Sequence, residues 1–284
     1  MLNIERILFP IDFSERCCNA APFVEAMARQ YKAKVTLLSV ADAVYYAPLA
    51  EPGGPIVVNT ELVRDDLKSR LDSALRNEFI GLEVERVAEV GDPAQAIADY
   101  AETHRADLIM MPTHGYGRFR QFLLGSVAAK VLHDAQCPVW TAAHTSDPLY
   151  RNLLPYRSIL CAVDGLPDSP DLVKWAGEFA NDAGANLRLA YVLQGMKDFP
   201  SPQYREELRL EAEEKLDQFQ EGLGFHVPAS ILFGPVAESI REEALRRAAD
   251  LVIIGRGVIH EKLGRLRTHA YGIIHRAPCP VLSV

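Results

Sequence analysis

A chain of 284 residues with 49% hydrophobic composition has enough apolar surface for one large domain or two ordinary ones. Its 38 acidic against 30 basic residues leave a formal charge of −8, which argues against broad attraction to nucleic acid or to an anionic membrane. No apolar run has the length of a bilayer span and the opening MLNIERILFP lacks the apolar centre of an export signal, so the expected location is cytoplasmic.

In chain order, a first strand at 6–11 (RILFPI) ends in Pro10 and leads to Asp12 and Ser14. A helix at 17–31 and a strand at 34–40 follow, then a Pro- and Gly-bearing loop at 44–58 and a helix at 61–79. Next come a strand at 84–90, a helix at 94–104, a strand at 108–111, a helix at 126–134 and a strand at 139–142. Ala94, Ile97 and Ala101 recur with helical spacing and give the third helix one apolar face. Met110 and Met111 read as core strand. Residues 144–157, with two prolines and no period, read as a linker.

Beyond the linker the pattern repeats. SILCAVD matches RILFPID, GPVAESIREEALRRAADLVIIG matches GDPAQAIADYAETHRADLIMMP, and CPVL matches CPVW, all in the same order. Ala237, Ile240 and Ala244 repeat the apolar helix face. The chain is therefore two copies of one unit, expected at 1–144 and 156–284, with the loop at 44–58 making the first copy longer. Strand and helix alternation predicts an α/β fold in which each copy is a doubly wound, five-stranded parallel sheet of Rossmann-like type, covered on both faces. Each copy ends in a short apolar strand whose edge needs cover, which predicts an intramolecular pseudo-dimer and a chain able to pair again as a homodimer.

Ligands of such sheets bind beyond the carboxyl ends of the strands, where the winding reverses. Two loops end that way: one carrying Pro10, Asp12 and Ser14, the other beginning Pro112-Thr113-His114-Gly115. Gly125 and Ser126 then open a helix, whose unpaired N–H groups and positive dipole end suit an anion. Gly125 is expected to be glycine because a Cβ would hold a phosphate away from the backbone. The stretch is neither a Walker loop nor a G-x-G-x-x-G turn.

At these residues the chain resembles the universal stress protein family, whose ATP-binding members carry G-x2-G-x9-G-[ST] before a final CPV strand. Gly115, nine residues, then Gly125-Ser126 fit, with Pro112 where the pattern has its first glycine. The resemblance covers nearly all of both copies and implies an adenine nucleotide alpha hydrolase-like fold. It also implies that Asp12 and the backbone near Val40 bind the adenosine end of ATP. His114, Gly115, Gly125, Ser126 and Val127 would hold the phosphates, bridged by Mg. Pro112 lacks an N–H to donate, so the grip on a triphosphate is expected to be weaker.

In the second copy Asp164 stands at the Asp12 position and Gly255-Arg256-Gly257 is one residue shorter than its counterpart. Nine residues after Gly257, Arg267-Thr268 keeps the hydroxyl and loses the glycine. Arg267 either pairs with a phosphate or occupies its space, and occlusion is favoured.

Plainer readings stand beside these. Asp12 and Asp164 suit helix capping, and for Asp164 the cap is the expected role. His114 reads as a binding residue rather than a base. Arg118 and Arg120 either contact phosphate or solvate a loop. The five cysteines, Cys17, Cys18, Cys137, Cys161 and Cys279, read as reduced thiols used in packing, Cys137 and Cys279 as small buried hydrophobes. No catalytic set can be assembled from spacing. The expected function is a nucleotide-dependent stress-response module, with a slow ATPase or nucleotidyl-transfer enzyme and a nucleotide-free interaction scaffold as alternatives.

Overall fold

The computed structural model describes residues 1–42, 59–114, 124–143, 154–194, 201–256 and 269–284. Two compact units emerge: Asn3–Trp140, and Thr141–Val284 together with Met1–Leu2.

In the N-terminal unit, β1 (Arg6–Pro10) is a buried apolar run feeding α1 (Glu15–Tyr31). Ser14 starts that helix, its hydroxyl accepting from Cys17 N at 3.2 Å. After β2 (Lys34–Ala41) and α2 (Thr60–Ser73) come β3 (Val84–Val90) and α3 (Pro93–Thr103). The Asp92 side chain caps α3, with Pro93 in its first turn where a missing N–H costs nothing. β4 (Leu108–Pro112), α4 (Ser126–Asp134) and β5 (Val139–Ala142) complete the copy.

The strands lie in the order β3-β2-β1-β4-β5. β1 pairs in parallel with β2 through Arg6↔Lys34 to Pro10↔Leu38, and on its other side with β4 through Ile7↔Leu108. The winding therefore reverses between β1 and β4, as a doubly wound sheet requires. Phe23 packs against Trp140, with ring centroids 5.1 Å apart, beneath α1. Ala94, Ile97 and Ala101 are all buried, as their spacing predicts.

The helix expected at 61–79 stops at Ser73. Ala74 is extended and Leu75 takes a positive φ of 50°, so the chain leaves the helix there. The Arg86 guanidinium donates to the carbonyls of Leu71 and Ala74, satisfying helix-end acceptors, while Phe79 turns inward onto the edge of Phe9. Phe79 thus serves the core from a turn, while Ile80 beside it is exposed.

The C-terminal unit repeats the plan. β6 (Ser158–Val163), α5 (Ser169–Ala183), β7 (Asn186–Leu193), α6 (Pro202–Gln220) and β8 (Ala229–Phe233) come first. α7 (Val236–Arg246), β9 (Leu251–Ile254), α8 (Ala270–Arg276) and β10 (Val281–Ser283) follow. Its strand order is β8-β7-β6-β9-β10, and β6 again lies between two parallel neighbours. Tyr156, in the segment read as linker, is buried against Phe179 and belongs to this core.

Candidate functional site

The crevice of the N-terminal unit opens where β1 and β4 end. Pro10 and Pro112 are the last residues of those strands and both are buried. Asp12 follows β1, and its Oδ1 accepts from Ser14 N at 2.9 Å, closing a short turn ahead of α1. Capping belongs to Ser14, so the plainer reading of Asp12 as the cap is corrected.

Val40 reaches the crevice through its backbone. Lys34 N donates to Glu5 O and Leu38 O accepts from Ile11 N, so the even-numbered residues of β2 turn their peptide groups toward β1. β1 ends at Pro10, paired with Leu38, and the peptide groups of Val40 face the space beyond it.

On the β4 side, Thr113 is buried and its hydroxyl lies 2.9 Å from His114 Nδ1. The Thr113 carbonyl accepts from Gly125 N at 2.9 Å, tying the end of β4 to the start of α4. A Cβ on Gly125 would come within 2.8 Å of that same carbonyl oxygen. The glycine is thus required by backbone meeting backbone, a demand additional to the ligand approach expected from the sequence. Gly125 offers α4 no side-chain cap, so the first-turn amides of Ser126 and Val127 keep their capacity for an acceptor. Gly115 lies outside the described residues, as do Arg118, Arg120 and the loop at 44–58.

The equivalent crevice of the C-terminal unit is small. Val163, Asp164, Val192, Ile254, Gly255 and His269 are among the residues around a cavity of about 90 Å³. His269 Nε2 lies 3.0 Å from Gln194 Nε2, a contact between the α8 start and the β7 end. Asp164 Oδ1 accepts from Leu166 N and from the Ser169 hydroxyl, whereas the residue at the cap position of α5 is Asp168. Asp164 is therefore an exposed turn former, not the cap that the sequence suggests. Gly257, Arg267 and Thr268 lie outside the described residues.

Cys17, Cys161 and Cys279 are buried thiols, and desolvation pushes Cys161 up to about 12. Burial acts on Cys17 and Cys279 in the same direction. Cys18 is exposed and Cys137 half-buried, a correction to the reading of both as packed inside: Cys18 follows buried Cys17 on α1, where successive side chains point in different directions, and Cys137 precedes β5.

Sequence reasoning passed over Thr113, whose carbonyl organises the junction, and the Gln194–His269 contact. Thr113 carried a faint signal, a buried polar residue directly after a strand.

A doubly wound parallel sheet with a crevice at its reversal point defines a Rossmann-like α/β protein, here in two tandem copies. The universal stress protein family matches residues 3–142 and 155–284, and the chain belongs to that family. A universal stress protein of Methanocaldococcus jannaschii is 32% identical over 140 residues, 48% of this chain and 79% of that one. A solved universal stress protein from Archaeoglobus fulgidus shares the fold, with 20% identity and a TM-score of 0.72 over 99% of this chain and 98% of its own. Another solved universal stress protein, in complex with cAMP, aligns with 51% of this chain and 99% of its own at 19% identity and a TM-score of 0.40. Among the described residues no helix is long and apolar enough to cross a membrane.

Proposed function

We propose that the N-terminal copy binds an adenine nucleotide, ATP with Mg, and that this cytoplasmic protein acts as a nucleotide-dependent stress-response module. The observation that carries the reading is the junction at Gly125. It holds the uncapped start of α4 against the end of β4, beside the strand end that leads to Asp12. Uncapped first-turn amides favour an anion, and Gly125 leaves no side chain between them and it.

Asp12 Oδ1 holds Ser14 N, and its carboxylate, at the end of β1, takes the adenosine end in this reading. The peptide groups of Val40 supply a second polar edge there. Ser126, Val127 and His114, with Gly115, hold the phosphates, and Mg is carried by those phosphates. Bound Mg supplies charge neutralisation. Pro112 contributes no N–H, which weakens the grip on a terminal phosphate. The C-terminal copy does not bind ATP in this reading, since about 90 Å³ falls well below the roughly 300 Å³ usual for a small-molecule pocket.

The test is thermal unfolding with and without Mg-ATP. A ligand bound only to the folded state raises the midpoint, by mass action. An unchanged midpoint at millimolar Mg-ATP favours the nucleotide-free scaffold instead. Release of phosphate from labelled ATP separates a binding module from a slow ATPase.

A further inference from the structure

The amino ends of the strands in the C-terminal unit, away from its crevice, carry a basic cleft. Ser158 of β6, Asn186 and Arg188 of β7, Pro228 and Arg247 are among the residues around a volume of about 300 Å³. Glu243 and Asp250, the carboxylates bonded to residues of this cleft, are already committed. Buried Glu243 accepts from the Ser230 hydroxyl at 2.6 Å, Arg247 Nε at 3.0 Å and Arg246 Nε at 2.7 Å. Asp250 accepts from Arg157 N at 2.7 Å and Ser158 N at 3.2 Å.

The arginines are not equally committed. Arg188 gives one bond, from Nη1 to Ala229 O at 3.3 Å, and Arg247 gives only its Nε to Glu243. Their remaining guanidinium donors have no acceptor among the described residues and share one cleft. Burial, then the charge of Arg247, make Arg188 easier to deprotonate than an ordinary arginine, with Glu243 opposing and Arg246 reinforcing. An anion in the cleft relieves that repulsion.

The duplication provides an internal comparison. At the matching positions the N-terminal copy has Thr36 for Arg188, Tyr100 for Glu243 and His104 for Arg247. There Tyr100 and His104 stack at 3.8 Å, and Lys34, matching Asn186, pairs with Glu83 and Glu85. The fold is built equally well without the arginines, so the cluster is an addition to one copy.

We propose that this cleft binds a small phosphate-bearing anion between the guanidinium groups of Arg188 and Arg247, with Asn186 on the rim. Phosphate is favoured over a single carboxylate because its charge, about −1.5 to −2, matches two cations and its oxygens suit guanidinium forks. The proposal is independent of the nucleotide site.

Calorimetric titration of the full chain with inorganic phosphate at low ionic strength tests it, with acetate as the carboxylate probe. Saturable phosphate binding, at least about tenfold tighter than acetate, is expected, and Arg188→Gln weakens it by about tenfold or more. Arg188→Lys retains part of the affinity. Asn186→Glu, which brings a carboxylate to the rim while leaving both arginines in place, abolishes binding even if Arg188→Gln fails to fold. No saturable phosphate binding by the parent would overturn the proposal. So would acetate binding as tightly as phosphate, or phosphate binding that Gly125→Ala removes and that both Arg188→Gln and Asn186→Glu leave unchanged.

Discussion

Gly125 and Glu243 show how a residue's meaning depends on what it meets rather than on its type. A Cβ at Gly125 meets the Thr113 carbonyl oxygen at 2.8 Å, and a backbone oxygen cannot swing aside as a side chain can. Gly125→Ala is expected to cost about 1–3 kcal/mol in chemical denaturation, as overpacking typically does. It should also abolish the Mg-ATP-induced rise in unfolding midpoint while the circular dichroism spectrum stays native. An alanine variant as stable as the parent and still responsive to ATP would overturn the role given to the junction. Glu243 is nearly devoid of solvent contact, and burial by itself disfavours its charge. The Ser230 hydroxyl, Arg247 and Arg246 outweigh burial and hold its carboxyl below the ordinary value of 4.5. A lowered folded-state value means the stabilisation is complete above pH 4.5 and is lost as pH falls through that lowered value. Acid titration of stability should therefore be shallower below pH 4.5 in Glu243→Gln than in the parent, and identical slopes would refute the assignment.

Among the elements, the ends of α1 and α5 present one problem with two solutions. Both helices close through a left-handed residue, Lys32 with φ 54° and Gly184 with φ 63°, whose N–H groups donate to the carbonyls of Ala28 and Ala180 respectively. A side chain in that conformation costs roughly 1–2 kcal/mol, which glycine avoids, although its freer unfolded chain returns part of the gain. Lys32→Gly is accordingly predicted to raise stability by about 0.5–1 kcal/mol in equilibrium denaturation. A loss of stability would mean that the lysine stem packs productively. The early end of α2 has the opposite character: the apolar residues of the segment past Ser73 are consistent with a longer helix, and only the inward turn of Phe79 onto Phe9 shows why it stops.

For the whole molecule the duplication sets the expected stoichiometry. Each copy has the strand order that makes a crevice; that of the C-terminal copy encloses about 90 Å³ and has His269 where the first copy has Val127. Equilibrium titration should return one ATP per chain, and none for Gly125→Ala. Two equivalents in the parent and one in the variant would mean that the C-terminal crevice accepts nucleotide and that Arg267 serves it as a phosphate ligand.

The sequence by itself determined the duplication and the α/β class, because alternating apolar runs and ordered landmarks are local patterns. Strand–helix alternation admits one economical sheet, and its reversal point follows from the topology. The Gly125–Thr113 contact, the capping by Ser14 in place of Asp12, and the end of α2 were decided only by tertiary structure. Each depends on which backbone group arrives within hydrogen-bonding or van der Waals distance from a distant part of the chain. The basic cleft is the clearest case: Arg188 and Arg247 lie far apart in sequence, on a strand and just after a helix, and no spacing links them. Parallel packing of β6, β7 and β9 beneath α7 brings them to one cleft, where two nearby charges acquire a meaning that neither has alone.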